Sequence, residues 1–175
     1  MRCRGSARQL VLLGFMAAGK STVGRLVADR LAWELLDLDA LVVEAAGASI
    51  EELFRREGEA AFRARETEVL ANAAGRPRTV LALGGGTAFL EENRRLLQGT
   101  DRVLIEISLE TARRRLEGTR GRPLAVPAVL EERFSARMPV YRAFADLVVS
   151  ADVASPEEVA ERILRWREAH RSESE

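Results

Sequence analysis

The sequence predicts an α/β domain of three layers, in which a parallel sheet of five strands lies between helices. Three observations carry that prediction. Short apolar runs rich in Leu and Val alternate with longer stretches of helical period. The first run, Leu10-Val11-Leu12-Leu13, passes directly into Gly14-Phe15-Met16-Ala17-Ala18-Gly19-Lys20-Ser21 and then into an amphipathic stretch, an order of strand, glycine loop and helix. Glycines or carboxylates end the first three runs, at Gly14, at Asp37 and Asp39, and at Gly84, Gly85 and Gly86. Unrelated segments therefore converge beyond the carboxyl ends of the strands, where open parallel sheets bind ligands.

The spacing of residues 14–21, glycine, four residues, then Gly-Lys-Ser, is the P-loop pattern. Such a loop turns successive backbone N–H groups inward at phosphate oxygens, and the following helix adds its positive end. Lys20 would reach the outer phosphates of a nucleoside triphosphate, and the Ser21 hydroxyl would hold a magnesium ion. Lys20 is the only lysine among 27 Lys and Arg residues. A compact ammonium stands where a planar guanidinium would suit a crowded phosphate loop badly.

After the loop, Lys20 to Leu31 reads as a helix with Val23, Leu26, Val27 and Leu31 on one side. Trp33 to Asp39 reads as a buried strand ending in two carboxylates. On a continuing strand Asp37 and Asp39 point the same way, one to serve magnesium and one to take a hydroxyl proton; the other reading is a turn or N-cap for the next helix. That helix, Ala40 to Ala46, stops at Gly47. Ser49-Ile50-Glu51-Glu52 is a capping box for a helix burying Ile50, Leu53 and Phe54. Gly58 punctuates, and Phe62, Val69, Leu70 and Ala73 mark the inner face of a further helix.

Gly75 to Arg78 is a turn before the strand Thr79 to Leu83, which runs into Gly84, Gly85 and Gly86. Those glycines are either a tight turn or a place where substrate approaches bare backbone. Leu90, Leu96 and Leu97 suggest a short helix. Arg102 to Ile107 is a fourth strand, and Ser108 caps a helix through about Glu117. The segment from Gly118 to Leu124 is polar and glycine-bearing, so a mobile lid is expected over about 117–127. Pro127 starts a helix with Leu130 and Phe134 inward, ending near Pro139. Asp146 to Ser150 is the fifth strand. Ser155-Pro156-Glu157-Glu158 opens a last helix with Val159, Ile163 and Trp166 inward, and residues 168–175 are expected to be a disordered tail.

At 175 residues the chain reads as one domain with its core over about 9–167. Acidic and basic residues balance at 27 each, which argues against a general nucleic-acid or membrane surface. The 47% apolar and 31% charged composition is that of a soluble globular protein. Cys3 is the sole cysteine, which rules out an internal disulfide and suits a reducing cytosol. The basic Met1 to Arg8 followed by apolar residues has the look of a signal peptide, but strand, loop and helix explain it better, so no cleavage is expected. No apolar run approaches a membrane span. The chain is read as cytoplasmic, and His170, the only histidine, as a bystander.

Six motifs in order resemble those of shikimate kinase, a small member of the nucleoside monophosphate kinase group of P-loop enzymes. They are Gly14 to Ser21, Leu36-Asp37-Leu38-Asp39, Gly58 to Glu66, Leu83-Gly84-Gly85-Gly86, Arg122-Pro123-Leu124, and Arg137-Met138-Pro139-Val140-Tyr141. The resemblance spans Leu10 to about Trp166. It implies a P-loop kinase fold, a monomer, and transfer of the ATP γ-phosphate to the 3-hydroxyl of shikimate with Mg²⁺. It implies an ATP site of Gly14, Ala17, Ala18, Gly19, Lys20, Ser21 and Thr22, with Arg115 against adenine and Arg122 as lid arginine over the phosphates. Ser21 and Asp37 correspond to the magnesium residues. Asp39 corresponds to the base that also binds the shikimate hydroxyls; with Lys20 and Arg122 it makes the catalytic set. Arg63 and Arg137 correspond to the clamp on the substrate carboxylate, Gly84, Gly85 and Gly86 to its hydroxyl side, and Ile50, Phe54 and Phe62 to walls around the ring.

The residue chemistry fits these assignments, because a guanidinium donates two parallel hydrogen bonds to a carboxylate. Arg63 also has Glu66 at i+3, either as a plain helix-surface pair or as the residue that orients it. Ala17 stands where the family usually has glycine and Met16 where some members have proline, so a strained loop and reduced turnover are expected. Rival readings are gluconate kinase or a nucleotide kinase of the same architecture, and an ATP-binding pseudoenzyme or switch. The chain has no Asn-Lys-x-Asp guanine motif.

Overall fold

A parallel sheet of five strands forms the centre of the molecule. The computed structural model describes residues 8–117 and 127–172. In them the strands are β1 (Leu10–Leu13), β2 (Glu34–Asp37), β3 (Thr79–Ala82), β4 (Asp101–Glu106) and β5 (Leu147–Ser150). The helices are α1 (Lys20–Leu31), α2 (Leu38–Ala46), α3 (Ile50–Ala73), α4 (Glu91–Leu96), α5 (Leu109–Leu116), α6 (Pro127–Phe144) and α7 (Pro156–Ser172), with a 3-10 turn at Thr87–Phe89. The strand order is β2-β3-β1-β4-β5, and every pairing is parallel.

All four residues of β1 are at most 1% exposed. Successive side chains of a strand point to opposite faces, so both faces of the sheet are covered and the architecture has three layers. The core gathers on this strand, with Val80 and Leu81 of β3 and Val103, Leu104 and Ile105 of β4 also fully buried. Each such side chain contributes about 1.5–3 kcal/mol relative to exposure. Leu12 pairs with Ala82, the last residue of β3, on one side and with Val103 on the other, where β4 runs on past the end of β1 to Glu106. The Leu83 N–H donates to Leu12 O at 3.0 Å, extending the ladder to the glycine turn after β3.

Several elements start and stop where their residues predict. Gly47 ends α2 in the left-handed region at φ 62°, and Ser49 Oγ accepts from Glu52 N at 3.2 Å to open α3. Gly58 interrupts α3 with φ 81° and ψ 173°, a conformation a side chain would strain, so two helices meet there at a kink. Ser155 Oγ accepts from Glu158 N while Glu158 Oε2 accepts from Ser155 N, a reciprocal cap before Pro156.

Three expectations are corrected. The second strand stops at Asp37, and α2 begins at Leu38, so Asp39 lies in the first turn of a helix. Asp37 is its N-cap, with Oδ1 accepting from Asp39 N at 3.1 Å and Ala40 N at 3.3 Å. Helix α6 continues through Pro139 to Phe144. A proline inside a helix costs about 3 kcal/mol, but Met138 and Tyr141 on either side are only 3% and 1% exposed, and their burial outweighs the lost backbone bond. Finally, α7 runs to Ser172, so residues 168–172 are helical rather than a tail. The Arg167 guanidinium lies 4.2 Å from the Trp33 ring centre, and His170 stacks on Trp166 at 4.7 Å, which holds the last turns in place.

Candidate active site

Beyond the carboxyl ends of β1, β2 and β3 lies one cavity of about 410 Å³. Its wall on the β1 side is the glycine loop and the start of α1, through Met16, Ala17, Gly19, Lys20, Ser21 and Thr22. Its far wall is Phe54, Phe62, Arg63 and Glu66 of α3 with Ile50, and Arg137 of α6. Asp37, Asp39, Leu83, Gly85 and Gly86 close it from the strand ends. The P-loop and both predicted clamp arginines therefore share one space.

The loop curls through Gly14 and holds Ala17 at φ 60° before Gly19 at φ 90° begins α1. Ala17 is thus an L-residue in the left-handed region, as the expectation of a strained loop requires. Gly14 is buried behind the wall, where an added Cβ would stand 2.5 Å from Ile105 O. Ala18 is buried as well and packs in the core. Lys20 is 9% exposed, and its ammonium donates to Gly14 O and Phe15 O at 3.0 Å each, bending over the loop it belongs to. Arg115 does not line the cavity. Its guanidinium donates to Ala17 O at 3.1 Å and to Ala151 O at 2.9 Å, tying the loop to the end of β5.

Ser21 Oγ donates to Asp37 Oδ2. Asp37 therefore serves both as the cap of α2 and as a neighbour of the loop serine. Asp39, in the first turn of α2, also faces the cavity. The two carboxylates reach the site from a strand end and a helix start, not from one continuing strand.

The triple glycine has a definite steric reason. A Cβ on Gly84 would stand 2.7 Å from both Asp39 Oδ1 and Glu66 Oε1 and 2.9 Å from Thr87 Oγ1. One on Gly86 would stand 2.7 Å from an Arg63 terminal nitrogen, and one on Gly85 would stand 2.8 Å from the Met16 side chain. Bare backbone here admits the chain's own site side chains. Gly85 and Gly86 line the cavity, while Gly84 stands behind Asp39 and Glu66.

Glu66 is 1% exposed and its two oxygens are divided between neighbours. Oε2 accepts from Arg63 at 2.7 Å, and Oε1 accepts from Thr87 Oγ at 2.7 Å. Asn93 continues the network, donating to Thr87 O at 3.0 Å and accepting from Thr67 Oγ at 2.8 Å. The Arg63–Glu66 pair is thus buried and hydrogen-bonded into the scaffold, and its energetic weight exceeds that of a surface pair. Arg137 is 7% exposed; it donates to Gly85 O at 3.0 Å, as does the Tyr141 hydroxyl at 2.8 Å. Burial pushes the Arg137 guanidinium below its ordinary range; the charges of Arg63 and Arg133 add to that, while Tyr141 and Glu59 oppose it. A buried cation among cations is a place prepared for an anion.

Arg122 falls within residues 118–126, outside the described residues, as does the expected lid. Tyr141, Thr87, Met16 and Leu83 were not assigned roles by the sequence reading. Tyr141 and Leu83 sit within motifs that carried them unremarked, whereas Thr87 had no signal beyond lying beside the glycines. Among the described residues no cluster of three metal-ligating His, Cys, Asp or Glu side chains occurs, and no helix is long and apolar enough to cross a membrane.

Residues 16–168 match the family model described as shikimate kinase. The shikimate kinase of Geobacter sulfurreducens is 42% identical over 175 residues, covering 97% of this chain and 96% of that protein. That of Thermobifida fusca is 41% identical over 164 residues, covering 91% and 95%. Among solved structures, the shikimate kinase from Acinetobacter baumannii in complex with shikimate matches with a TM-score of 0.89 at 33% identity, over 93% of this chain and 94% of that one. A gluconokinase from Sinorhizobium meliloti matches at 0.56 with 19% identity over 98% and 100%, a likeness of fold alone. With a family match over most of its length and relatives above 40% identity at nearly full coverage, the chain belongs to the shikimate kinase family.

Proposed function

We propose that the chain moves the γ-phosphate of ATP to the 3-hydroxyl of shikimate, giving shikimate 3-phosphate and ADP for aromatic amino acid biosynthesis. The observation that carries this reading is the single cavity joining a P-loop to two buried or half-buried guanidiniums. A nucleotide kinase or gluconate kinase shares the first half of that arrangement and would not be expected to show the glycine-rich end of the third strand together with the paired arginines.

The geometry and the motifs support the following roles. The backbone of Ala17, Ala18, Gly19 and Thr22 cradles phosphate oxygens, with Lys20 supplying the charge. Arg63 and Arg137 grip the substrate carboxylate from α3 and α6, and Phe54, Phe62 and Ile50 wall its ring. Gly85 and Gly86 leave room on the side of its hydroxyls. Asp39 takes the proton of the 3-hydroxyl as its oxygen bonds to the γ-phosphorus and the bond to the ADP oxygen breaks. Positioning and neutralisation of charge supply most of the acceleration. Arg122 is assigned to the lid by its motif, and Arg115 to the adenine side of the loop it already braces.

The donor set also suits a hard divalent cation. A hydroxyl and a carboxylate oxygen, Ser21 Oγ and Asp37 Oδ2, meet at the cavity wall, which is the oxygen chemistry Mg²⁺ prefers. Ser21 and Asp37 would hold it, and bound there it would neutralise phosphate charge. The balanced net charge argues against a nucleic-acid partner, and the chain is read as a cytoplasmic monomer.

A coupled ADP-release assay on the purified protein, with shikimate, gluconate and nucleoside monophosphates side by side, tests the reading. Shikimate-dependent release is expected. Release with gluconate or a nucleotide in its place would transfer the assignment to a sister kinase, and ATP binding without release for any acceptor would make the chain a pseudoenzyme.

A further inference from the structure

We propose that Arg133 is a positioning residue for the acid substrate: by taking the Glu59 carboxylate in a two-pronged contact it limits that carboxylate to a longer ion pair with Arg63, leaving the Arg63 guanidinium able to receive the substrate. The inference rests on the functional reading above and extends it to two residues that line no part of the cavity.

Glu59 sits one turn before Arg63, at the i,i+4 spacing that pairs opposite charges on a helix. It opens the second half of α3, directly after the break at Gly58, where a carboxylate is favoured by the helix end. Left alone, it would close on Arg63. Instead its oxygens face Arg133 across the gap from α3 to α6, accepting from Arg133 at 3.0 and 3.3 Å in a two-pronged contact. Glu59 also forms an ion pair with Arg63, but at 3.5 Å it is the longer of its contacts. Fork-to-fork pairs of this kind are the stronger form of the interaction. Burial acts to raise the Glu59 pKa, but the Arg133 hydrogen bond and charge, with Arg63 behind them, outweigh it and hold the carboxyl below its usual range. Glu59 is therefore a standing anion near neutral pH.

Arg63 meanwhile keeps a buried partner in Glu66 on its other terminal nitrogen. One nitrogen is fixed by the scaffold and the other is only loosely engaged, which suits a guanidinium that is to receive a carboxylate. Arg133 lies one turn before Arg137 on α6, so that helix presents two cations with divided tasks: Arg137 faces the cavity, and Arg133 draws off the competing anion.

The test is a cycle of Arg133→Met, Glu59→Gln and the double variant, with KM for shikimate, KM for ATP and kcat measured for each. Arg133→Met releases Glu59 onto Arg63 and is expected to raise KM for shikimate about three- to fivefold, the scale of a partly exposed ion pair, with kcat and KM for ATP little changed. In the double variant the competitor is neutral, and KM returns to the wild-type range. Glu59→Gln alone leaves KM for shikimate at or below the wild-type value, and this arm stands even if Arg133→Met fails to fold. An unchanged KM in Arg133→Met, a raised KM in Glu59→Gln, or a double variant as weak as Arg133→Met would each overturn the proposal; the last would mean that Arg133 touches the substrate itself. Wild-type protein without shikimate turnover would instead overturn the functional reading, a result visible before any variant is made.

Discussion

Replacing Ala17 by glycine is expected to stabilise the protein. Ala17 lies at φ 60°, and Arg115 donates to its carbonyl at 3.1 Å, so the loop conformation is held from outside the loop. An L-residue in that region costs about 1–2 kcal/mol. Glycine removes this cost but gives the unfolded chain more freedom, worth about 0.4–1 kcal/mol in the opposite sense. The difference leaves Ala17→Gly more stable by about 0.5–1 kcal/mol, or about 1–4 °C in Tm for a chain of this size. Urea unfolding with linear extrapolation reads the free energy, and calorimetry reads the midpoint. Ala17→Val, which puts a branched side chain at the same φ, shifts both the other way. An Ala17→Gly protein equal to or weaker than its parent, at an unchanged m-value, would refute the strain argument.

Gly84→Ala places a methyl 2.7 Å from Asp39 Oδ1 and from Glu66 Oε1, so kcat is expected to fall at least about tenfold while ATP affinity holds, with about 1–3 kcal/mol of stability lost to overpacking. Normal turnover would show that the Asp39 and Glu66 carboxylates tolerate displacement. Arg63→Ala removes a charged donor and is expected to weaken shikimate binding by about 2 kcal/mol or more, read by titration calorimetry; an unaltered affinity would remove Arg63 from the clamp. Tyr141 is the only tyrosine, and burial raises its pKa from 10.0 to about 12. Because the folded value is the higher one, the stability it contributes is complete below pH 10 and is lost between pH 10 and about 12, as the unfolded phenol ionises first. Ultraviolet titration is expected to show no phenolate near pH 10 while the circular dichroism remains native, and Tyr141→Phe to lose less stability across that window; a native midpoint near 10 would contradict the burial.

The legible parts of this chain were those governed by neighbours in sequence. Helix α1 begins at Lys20 and ends at Leu31 as its period predicts, Gly58 breaks α3, and Ser49, Ser108 and Ser155 cap their helices. The misreadings came where a distant contact decided a local choice. Pro139 reads as a stop, yet Met138 and Tyr141 are packed too well for the helix to end there. Asp37 and Asp39 are a different case, open between strand neighbours and an N-cap, and a local contact decides it: the Asp37 side chain captures the N–H groups of Asp39 and Ala40 and turns the chain into a helix. The P-loop and the arginine pair could be assigned by motif. Their union in one cavity, the burial of Glu66 and the Glu59–Arg133 contact depend on helices whose residues lie 74 positions apart, which no local pattern encodes.

The hydrogen bond from Leu83 to Leu12 joins the stems of two loops that serve opposite ends of the reaction. The phosphate cradle and the glycine turn cannot separate without tearing the same ladder, so the floor of the reaction chamber is rigid by construction. For the proposed reaction, opening is therefore expected at the rim, where Gly58 sets a non-helical joint ahead of the arginine-bearing half of α3.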